Sequence, residues 1–375
     1  MTTRTALVLF GTRPEAIKVA PVIFALRESG TIEPVVAVTA QHREMLDQVL
    51  DLFGIRPAFD LGLMRESQSL AELTARIVTG VGGVIREVRP DVVLVQGDTT
   101  TTFAGALSAF YEHVPVAHVE AGYRTGNRYL PYPEEINRRL VSELADLHLA
   151  ANETCAANLR AEGHAATDIH VVGNTGIDAL FRVLTGPRGP AGSSGPFERS
   201  SRFLVLMTMH RRESWGGAIA QACRAARTIL ERNRDTEVVF ATHLNPVVRE
   251  AAAAELAGVE RVRLVPALGY AEFARLLEAA DVVMSDSGGV HEESLALGKP
   301  LLLLRDVSEW PEAIEAGLVR LVGSDESAIV AESERVLAFL RDGGAWPRAT
   351  NPLADGHAAE RVVRHLAAYL DGRVT

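Results

Sequence analysis

The chain has 375 residues, of which 47% are hydrophobic and 23% are charged, which is typical of a globular protein with two domains. Its net charge of −10 argues against non-specific nucleic-acid binding, although a local basic cluster can still bind an anionic small molecule. With only Cys155 and Cys223, no signal sequence and no apolar run of about 20 residues, we expect neither a disulfide framework nor a membrane segment, and we predict a cytoplasmic protein.

Short runs rich in valine, isoleucine and leucine alternate with longer amphipathic segments along the chain. The runs predicted as strands are residues 5–10, 34–39, 91–97, 114–120, 147–151, 169–174, 202–209, 237–243, 262–268, 281–286 and 300–306. Nearly continuous hydrophobic runs indicate strands buried on both faces, as in a parallel sheet covered by helices. The alternation predicts a doubly wound α/β architecture, formed twice. A stretch rich in glycine, proline and serine, residues 185–201, is either the domain boundary or a long surface loop.

The first predicted strand ends in "FGTRPEAIK", at the sheet edge where open α/β sheets bind ligands. Gly11 permits a tight turn, Arg13 can point into a cleft, Pro14 suits a helix start, and Lys18 lies one turn into that helix. The alternative interpretation is an ordinary strand–helix turn with a solvated arginine. The dinucleotide fingerprint is absent because its second and third glycines are missing, and no Walker sequence occurs.

Carboxylates also lie at the ends of the third and fourth predicted strands. Asp98 follows the strand that ends at residue 97, and Glu120 ends the strand after it, so both are expected at one edge of the sheet. Glu134 begins a following helix and completes a possible acid–base set. Each residue also has a structural alternative: Asp98 as a helix N-cap, and Glu134 with Glu135 as an acidic pair that complements a helix dipole.

In the second half, charged residues again follow the strands. "HRRES" places His210 and Arg211 directly after a strand, and "HLNP" places His243 after the next, which favours anion binding or proton transfer.

"DSGGVHEES" is the most specific local pattern. Ser287, Gly288 and Gly289 open a helix whose free N–H groups favour an anion, and Glu293 lies one turn further, where a carboxylate can bind paired hydroxyls such as those of a ribose. This combination predicts a nucleotide site. A metal site at the neighbouring His291 is disfavoured, because the spacing matches no standard ligand set.

Taken together, these stretches closely resemble the non-hydrolysing UDP-N-acetylglucosamine 2-epimerases of bacteria. The similar motifs run in order from about residue 9 to 358: "FGTRPEAIKVAPV", "VTAQHREMLDQVL", "GDTTTTFAGALSAFY", "VEAGYRTGN", "PYPEEINRRL", "GNTGIDAL", "HRRES", "HLNPVVRE", "DSGGVHEES", "RDVSEWPEAIEAG" and "NPLADGHA". The set as a whole is specific, whereas no single member is.

The resemblance implies two Rossmann-like domains in a glycosyltransferase-B type arrangement, with the active site between them. It places the first domain at residues 1–172 plus 358–375 and the second at 173–357, with a hinge near Gly173 and a C-terminal helix that returns to the first domain. It also implies a homodimer that acts on a UDP-sugar and needs no cofactor and no metal.

The resemblance also implies roles for individual residues. The catalytic set it suggests is Arg13, Lys18, Asp98, Glu120, Glu134 and His210. The UDP-binding residues are Arg13, His210, Ser287, Gly288, Gly289 and Glu293. A second, allosteric UDP-sugar site is implied at Gln41, Arg43, Arg211 and His243.

The implied reaction is the reversible C2 epimerisation of UDP-N-acetylglucosamine, through elimination of UDP to 2-acetamidoglucal and re-addition. The alternatives are a hydrolysing epimerase, an epimerase of a modified UDP-sugar, a glycosyltransferase of the same architecture and a non-catalytic UDP-sugar sensor. A sensor would tolerate loss of Asp98, Glu120 and His210, and all three are present.

The chain departs from the family pattern in a few places. Trp310 occupies the usual arginine position in "EWPE", Gln96 stands where histidine is common, Tyr123 replaces leucine, and His291 replaces glutamine. Because the proposed catalytic positions are retained, these departures bear on the choice of substrate and on regulation rather than on the type of reaction.

Overall fold

The computed structural model describes residues 4–40, 43–65, 68–186, 200–209, 217–242, 245–308, 311–347 and 354–372. The contacts divide the chain into two units. Unit 1 is Met1–Arg182 with Asn351–Thr375, and unit 2 is Val183–Thr350. The domain limits at 172/173 and 357/358 and the hinge near Gly173 stay predictions.

Unit 1 is built on seven parallel strands. They are β1 (Arg4–Phe10), β2 (Ile32–Val38), β3 (Phe59–Asp60), β4 (Val92–Gln96), β5 (Val116–Ala121), β6 (Leu147–Ala150) and β7 (Ile169–Val171). The helices between and after them are α1 (Arg13–Ser29), α2 (Arg43–Phe53), α3 (Leu70–Val88), α4 (Thr100–Tyr111), α5 (Glu134–Leu144), α6 (Glu153–Ala161) and α7 (Thr175–Thr185). The strand order is β3-β2-β1-β4-β5-β6-β7.

Unit 2 repeats this plan with six parallel strands. They are β8 (Phe203–Thr208), β9 (Thr236–Ala241), β10 (Val262–Val265), β11 (Val282–Ser285), β12 (Leu301–Leu303) and β13 (Val319–Leu321). Its helices are α8 (Gly217–Arg232), α9 (Pro246–Leu256), α10 (Tyr270–Ala279), α11 (Gly288–Leu297), α12 (Pro311–Glu315) and α13 (Glu326–Arg341). The strand order is β10-β9-β8-β11-β12-β13.

The last helix, α14 (Ala358–Gly372), packs in unit 1 against α1. Val362, Leu366 and Leu370 are among its buried side chains. Asp178 of α7 accepts a hydrogen bond of 2.8 Å from the backbone N–H of Ala359, which joins the start of α14 to unit 1.

The central strands are covered on both faces, as the hydrophobic runs predict. Every residue of β4 is buried, and Leu7 of β1 pairs in register with Val93 of β4. These strands pack with Ile77 and Val81 of α3 in one hydrophobic cluster of unit 1. The two doubly wound Rossmann-like sheets predicted from the sequence are therefore confirmed.

Both sheets reverse their winding direction at a central pair of strands. In unit 1 this switch point lies between β1 and β4, and in unit 2 it lies between β8 and β11. Ligands of doubly wound sheets bind beyond the carboxyl ends of the strands at such points. The turns after these four strands are consequently the places to look for functional side chains.

Some predicted boundaries differ from the structure. The strand predicted at 300–306 is only Leu301–Leu303, and the short strands β3 and β13 were not predicted. Most of the glycine-rich stretch at 185–201 lies outside the described residues. Among the described residues, no helix combines the length and hydropathy that a membrane crossing requires.

Candidate active site

Glu120 is the centre of the polar cluster in unit 1. Lys18 Nζ donates to its Oε1, and Gln96 Nε2 donates to its Oε2, so one donor is directed at each carboxylate oxygen. Lys18 comes from α1 and Gln96 is the last residue of β4, so these two hydrogen bonds connect α1 and β4 to Glu120 of β5. The structure thus brings together Lys18 and Glu120, two members of the catalytic set that the resemblance implies.

The backbone at Glu120 is unusual for a residue with a side chain. Its φ of 66° lies in the left-handed region, and the pairing of β5 with β6 shifts register between Val119 and Ala121. Such a conformation costs roughly 1 kcal/mol or more in a non-glycine residue. A strained residue at a β-bulge is typical of a functional site, where the bulge sets the direction of one side chain.

Asp98 lies beyond the end of the adjacent strand β4. Its Oδ2 accepts from Arg138 Nε at 3.0 Å and also from Arg138 Nη2, and its carbonyl oxygen accepts from Asn137 Nδ2 at 2.9 Å. The N-cap of α4 is Thr99, so the alternative that Asp98 serves as the cap is wrong. Asp98 is instead a carboxylate oriented by α5.

The two glutamates that open α5 have different environments. Glu135 is fully buried, and its carboxylate accepts from Arg139 Nε at 3.2 Å and from the backbone N–H of Thr125 at 3.1 Å. Glu134 is half-buried, and no described residue donates a hydrogen bond to its carboxylate. Glu135 therefore fixes the loop before α5, whereas the catalytic role suggested for Glu134 stays a prediction.

Arg13 begins α1 beyond the end of β1. It is half-buried, and burial lowers the pKa of its guanidinium. Among the described residues it has no acidic partner. A partly desolvated cation in this situation favours an anionic ligand.

Glu15 was not identified from the sequence, although "TRPE" contains the signal. Thr12 and Glu15 form a capping box at the start of α1, which is the pattern of a threonine followed three residues later by glutamate. Glu15 also contacts Thr99 and Thr102 of the neighbouring turn. Those contacts span more than 80 positions along the chain and leave no local pattern.

His118 lies in β5, beneath these carboxylates. Its Nε2 is 2.7 Å from the carbonyl oxygen of Gly97, and burial lowers its pKa to about 4. The ring is therefore neutral at neutral pH, and Nε2 donates to that carbonyl. His118 supports the turn that carries Asp98 and is not itself an acid at this site.

The turn after β11 forms the polar site of unit 2. Ser287 caps α11, and its own backbone N–H donates to Ser285 Oγ at 3.0 Å. The next two N–H groups, of Gly288 and Gly289, have no acceptor among the described residues, as expected for the first turn of a helix. These groups and the helix dipole favour a phosphate.

Glu293 accepts a hydrogen bond from the neighbouring helix α10. The hydroxyl of Tyr270 donates to its Oε1 at 3.2 Å, and burial raises the pKa of Tyr270, which keeps that proton on the tyrosine. Glu293 is therefore an oriented carboxylate one turn from the glycines.

Several predicted site residues lie outside the described residues. They are Gln41, His210, Arg211, His243 and also Trp310. Arg43 is described, and it forms a two-pronged ion pair with Asp60, at 2.7 and 2.8 Å. The allosteric role suggested for Arg43 stays a prediction.

Comparison with known proteins identifies the family. The family model for UDP-N-acetylglucosamine 2-epimerase matches residues 24–367. The chain belongs to this family. The UDP-N-acetylglucosamine 2-epimerase of Escherichia coli strain K12 is 46% identical over 366 residues, which cover 96% of this chain and 97% of that protein.

Solved structures of the family have the same fold as this chain. A putative UDP-N-acetylglucosamine 2-epimerase from Listeria monocytogenes has a TM-score of 0.90 at 42% identity, covering 99% of this chain and 98% of that one. The UDP-GlcNAc 2-epimerase of Neisseria meningitidis, bound to UDP-GlcNAc, has a TM-score of 0.89 at 41% identity, covering 97% of this chain and all of that one. The resemblance inferred from the sequence is confirmed, while the roles of individual residues stay predictions.

Proposed function

We propose that this chain catalyses the reversible C2 epimerisation of UDP-N-acetylglucosamine to UDP-N-acetylmannosamine by elimination and re-addition of UDP, without hydrolysis. The observation that carries the proposal is the carboxylate pair at the ends of β4 and β5. Glu120 is held by Lys18 and Gln96, and Asp98 is held by Arg138. The relative from Neisseria meningitidis, bound to UDP-GlcNAc, supports the choice of substrate.

The chemistry explains why carboxylates are needed. The C2 proton of a 2-acetamido sugar has no adjacent carbonyl and is too weakly acidic for direct removal. As the bond between C1 and the UDP oxygen lengthens, positive charge at C1 acidifies that proton. A carboxylate takes it, the C1=C2 double bond of 2-acetamidoglucal forms, and UDP leaves with the bonding electrons.

Epimerisation follows when UDP adds back. The diphosphate oxygen re-forms its bond to C1, and C2 takes a proton on the opposite face, which gives the manno isomer. The overall step is neutral in protons and electrons, so the scheme calls on acid–base groups for two faces and on groups that hold the leaving diphosphate.

Described residues provide both kinds of group. Asp98, Glu120 and Glu134 supply carboxylates in unit 1, where Arg13 is a cation without an acidic partner among the described residues. In unit 2, the N–H groups of Gly288 and Gly289 suit a diphosphate, and Glu293 suits the ribose hydroxyls.

Proton NMR of the enzyme with UDP-N-acetylglucosamine in D2O, without added nicotinamide or metal, tests the proposal. We expect loss of the C2 proton signal together with growth of UDP-N-acetylmannosamine. Free N-acetylmannosamine with UDP would instead establish the hydrolytic reaction. An unchanged spectrum, followed by turnover of a modified UDP-sugar, would assign the chain to a specialised substrate.

The remaining features implied by the family are part of the same proposal. They are a homodimer, a cytoplasmic location, and activation by a second UDP-sugar at Gln41, Arg43, Arg211 and His243. Sedimentation of the purified protein tests the dimer. Rate curves that are sigmoidal in UDP-N-acetylglucosamine would support the activation, and hyperbolic curves would oppose it.

A further inference from the structure

The carboxyl group of Glu15 joins the two turns at the switch point of unit 1. Its Oε2 accepts from the backbone N–H groups of Gly11 at 3.0 Å and Thr12 at 2.7 Å, in the turn after β1. Its Oε1 lies 2.7 Å from Thr99 Oγ1 and 3.0 Å from Thr102 Oγ1, at the start of α4. Glu15 is only 2% exposed, so the carboxyl group depends on these protein partners.

The hydroxyl protons around Oε1 are too few for the contacts that it makes. Thr102 Oγ1 lies 2.7 Å from the carbonyl oxygen of Gln96, which only accepts, so the single hydroxyl proton of Thr102 points there. With a proton from Glu15, the 3.0 Å contact between Thr102 Oγ1 and Glu15 Oε1 becomes a hydrogen bond, and of these contacts only the 3.1 Å one between Thr99 Oγ1 and Thr102 Oγ1 is left without a proton. Thr99 has one further proton, which its 2.7 Å contact with Oε1 uses.

The surroundings also disfavour a charge on Glu15. Burial raises its pKa, against the opposing effect of its hydrogen bonds. The charged side chains at this end of α1 are Arg13 and Lys18, and those at the ends of β4 and β5 are Asp98 and Glu120. None of them forms an ion pair with Glu15 in the described part of the chain, and Lys18 pairs with Glu120. A buried carboxylate without a cation costs free energy.

We propose that Glu15 is a neutral carboxylic acid that positions the turns carrying Arg13 and Asp98. Its Oε1 proton is donated to Thr102 Oγ1, Thr102 donates to the carbonyl of Gln96, and Oε2 accepts from the turn after β1. Glu15 is buried and acts through the two turns that it contacts, so it is a positioning residue. The positioning role rests on the proposed function, whereas the protonation state does not.

Substitutions separate a neutral acid from a carboxylate. In Glu15→Gln, the amide oxygen accepts from the two N–H groups and the NH2 group donates to the threonine oxygens, so we expect an unchanged kcat and KM. In Glu15→Asp, the carboxyl retracts and loses one set of partners. We expect kcat to fall by about 100-fold, with a smaller change in KM, because misplaced catalytic groups cost about that much.

Glu72 is the matched control. It forms the same capping box with Ser69 at the start of α3, but it is exposed, and hydrogen bonds from Ser69 lower its pKa. We expect Glu72→Gln to leave kcat and KM unchanged. If Glu15 acted only as a helix cap, Glu15→Asp would be as mild as the corresponding Glu72→Asp.

Carbon NMR of the full-length protein with 13C-labelled glutamate carboxyls reads the protonation state without any substrate. Comparison with Glu15→Gln assigns the Glu15 resonance, and Glu72 gives the carboxylate reference. We expect Glu15 at the position of a protonated acid at neutral pH. Either a carboxylate resonance or a Glu15→Gln variant as slow as Glu15→Asp overturns the proposal. Because the spectrum needs no turnover, it stays interpretable even if the proposed epimerase activity fails.

Discussion

Individual side chains at the edge of the unit 1 sheet are held by donors from other elements. Lys18 and Gln96 each contact one oxygen of Glu120, while the backbone of Glu120 stays in a left-handed conformation. Both features restrict the direction of the carboxylate. A base that is already oriented loses less entropy in the transition state, which is the physical reason to expect a large effect from its removal.

In the proposed mechanism Glu120 is one of the acid–base carboxylates, and replacing it with glutamine removes the charge while it keeps the size of the side chain. We expect kcat for epimerisation, and the rate of C2 proton exchange in D2O, to fall by about 10²- to 10⁴-fold. Glu112→Gln is the control, since it also breaks an ion pair of unit 1, with Arg86, on the surface. C2 exchange at the normal rate in Glu120→Gln would show that another group is the base.

Arg13 gives a prediction in which stability and binding change in opposite directions. Removing a half-buried cation that has no described acidic partner relieves a desolvation cost, so Arg13→Gln should melt at the same temperature or higher without ligand. If Arg13 binds the diphosphate as proposed, losing its charge should weaken UDP binding by about 10- to 100-fold. Calorimetry measures both quantities. Arg27→Gln, in the exposed last turn of the same helix, should change neither.

At the scale of elements, the turn before α1 and the first turn of α11 contain glycine for different reasons. A Cβ on Gly11 would lie 2.2 Å from Thr39 Oγ1 and 2.5 Å from Thr101 Oγ1, so this glycine is required by packing. A Cβ on Gly289 would meet no described residue within 4 Å. The described part of the chain therefore leaves room beside Gly289 for the proposed nucleotide.

Gly289→Ala separates folding from binding. We expect stability to stay equal or rise by roughly 0.5–1 kcal/mol, because alanine is the better helix former, while UDP binding weakens by contact with the added methyl group. Chemical denaturation and titration calorimetry measure the two effects. Gly83→Ala in α3, where a Cβ is equally unobstructed, should give the stabilisation alone. Unchanged UDP affinity in Gly289→Ala would remove this turn from the proposed nucleotide site.

The elements were largely predictable because buried parallel strands leave a continuous hydrophobic signal. β3 was missed because two residues are too few to show a pattern, and β13 was missed because Arg320 interrupts its short hydrophobic run. Candidate site residues at strand ends were visible for the same topological reason. Their partners were not: Arg138 reaches Asp98 across 40 positions, and Thr99 reaches Glu15 across 84, and no local spacing encodes such contacts.

For the molecule as a whole, buried histidines link stability to pH. Burial lowers the pKa of His118 to about 4 and that of His148 to about 3. Because the unfolded imidazoles titrate near pH ~6.5, the unfolded chain binds protons that the folded chain does not as the pH falls below that value. The contribution of these neutral histidines to the free energy of unfolding is therefore fully present above pH ~6.5. It is lost as the pH falls from about 6.5 towards 4.

We expect His118 alone to account for about 3 kcal/mol of this loss. Urea unfolding at a series of pH values measures it, and hydrogen exchange locates it in unit 1, which holds both histidines. His118→Gln, whose amide can still donate to Gly97, should flatten the acid limb of the curve. His357→Gln is the control, because His357 is exposed and its pKa is raised by Glu360. An equal slope in His118→Gln and the unaltered protein would contradict the assignment.

The packing of α14 on α1 has a consequence for the order of events during synthesis. The ribosome makes α1 early, but roughly 175 residues, 183 to 357, must follow unit 1's first segment before α14 begins to appear. At ~5–20 residues per second this is a delay of about 10 to 35 seconds. During that interval the nascent first unit has an uncovered face, which only Val362, Leu366 and their neighbours later bury. Unit 2 emerges within the same interval, so it is fully synthesised before unit 1 obtains its last helix.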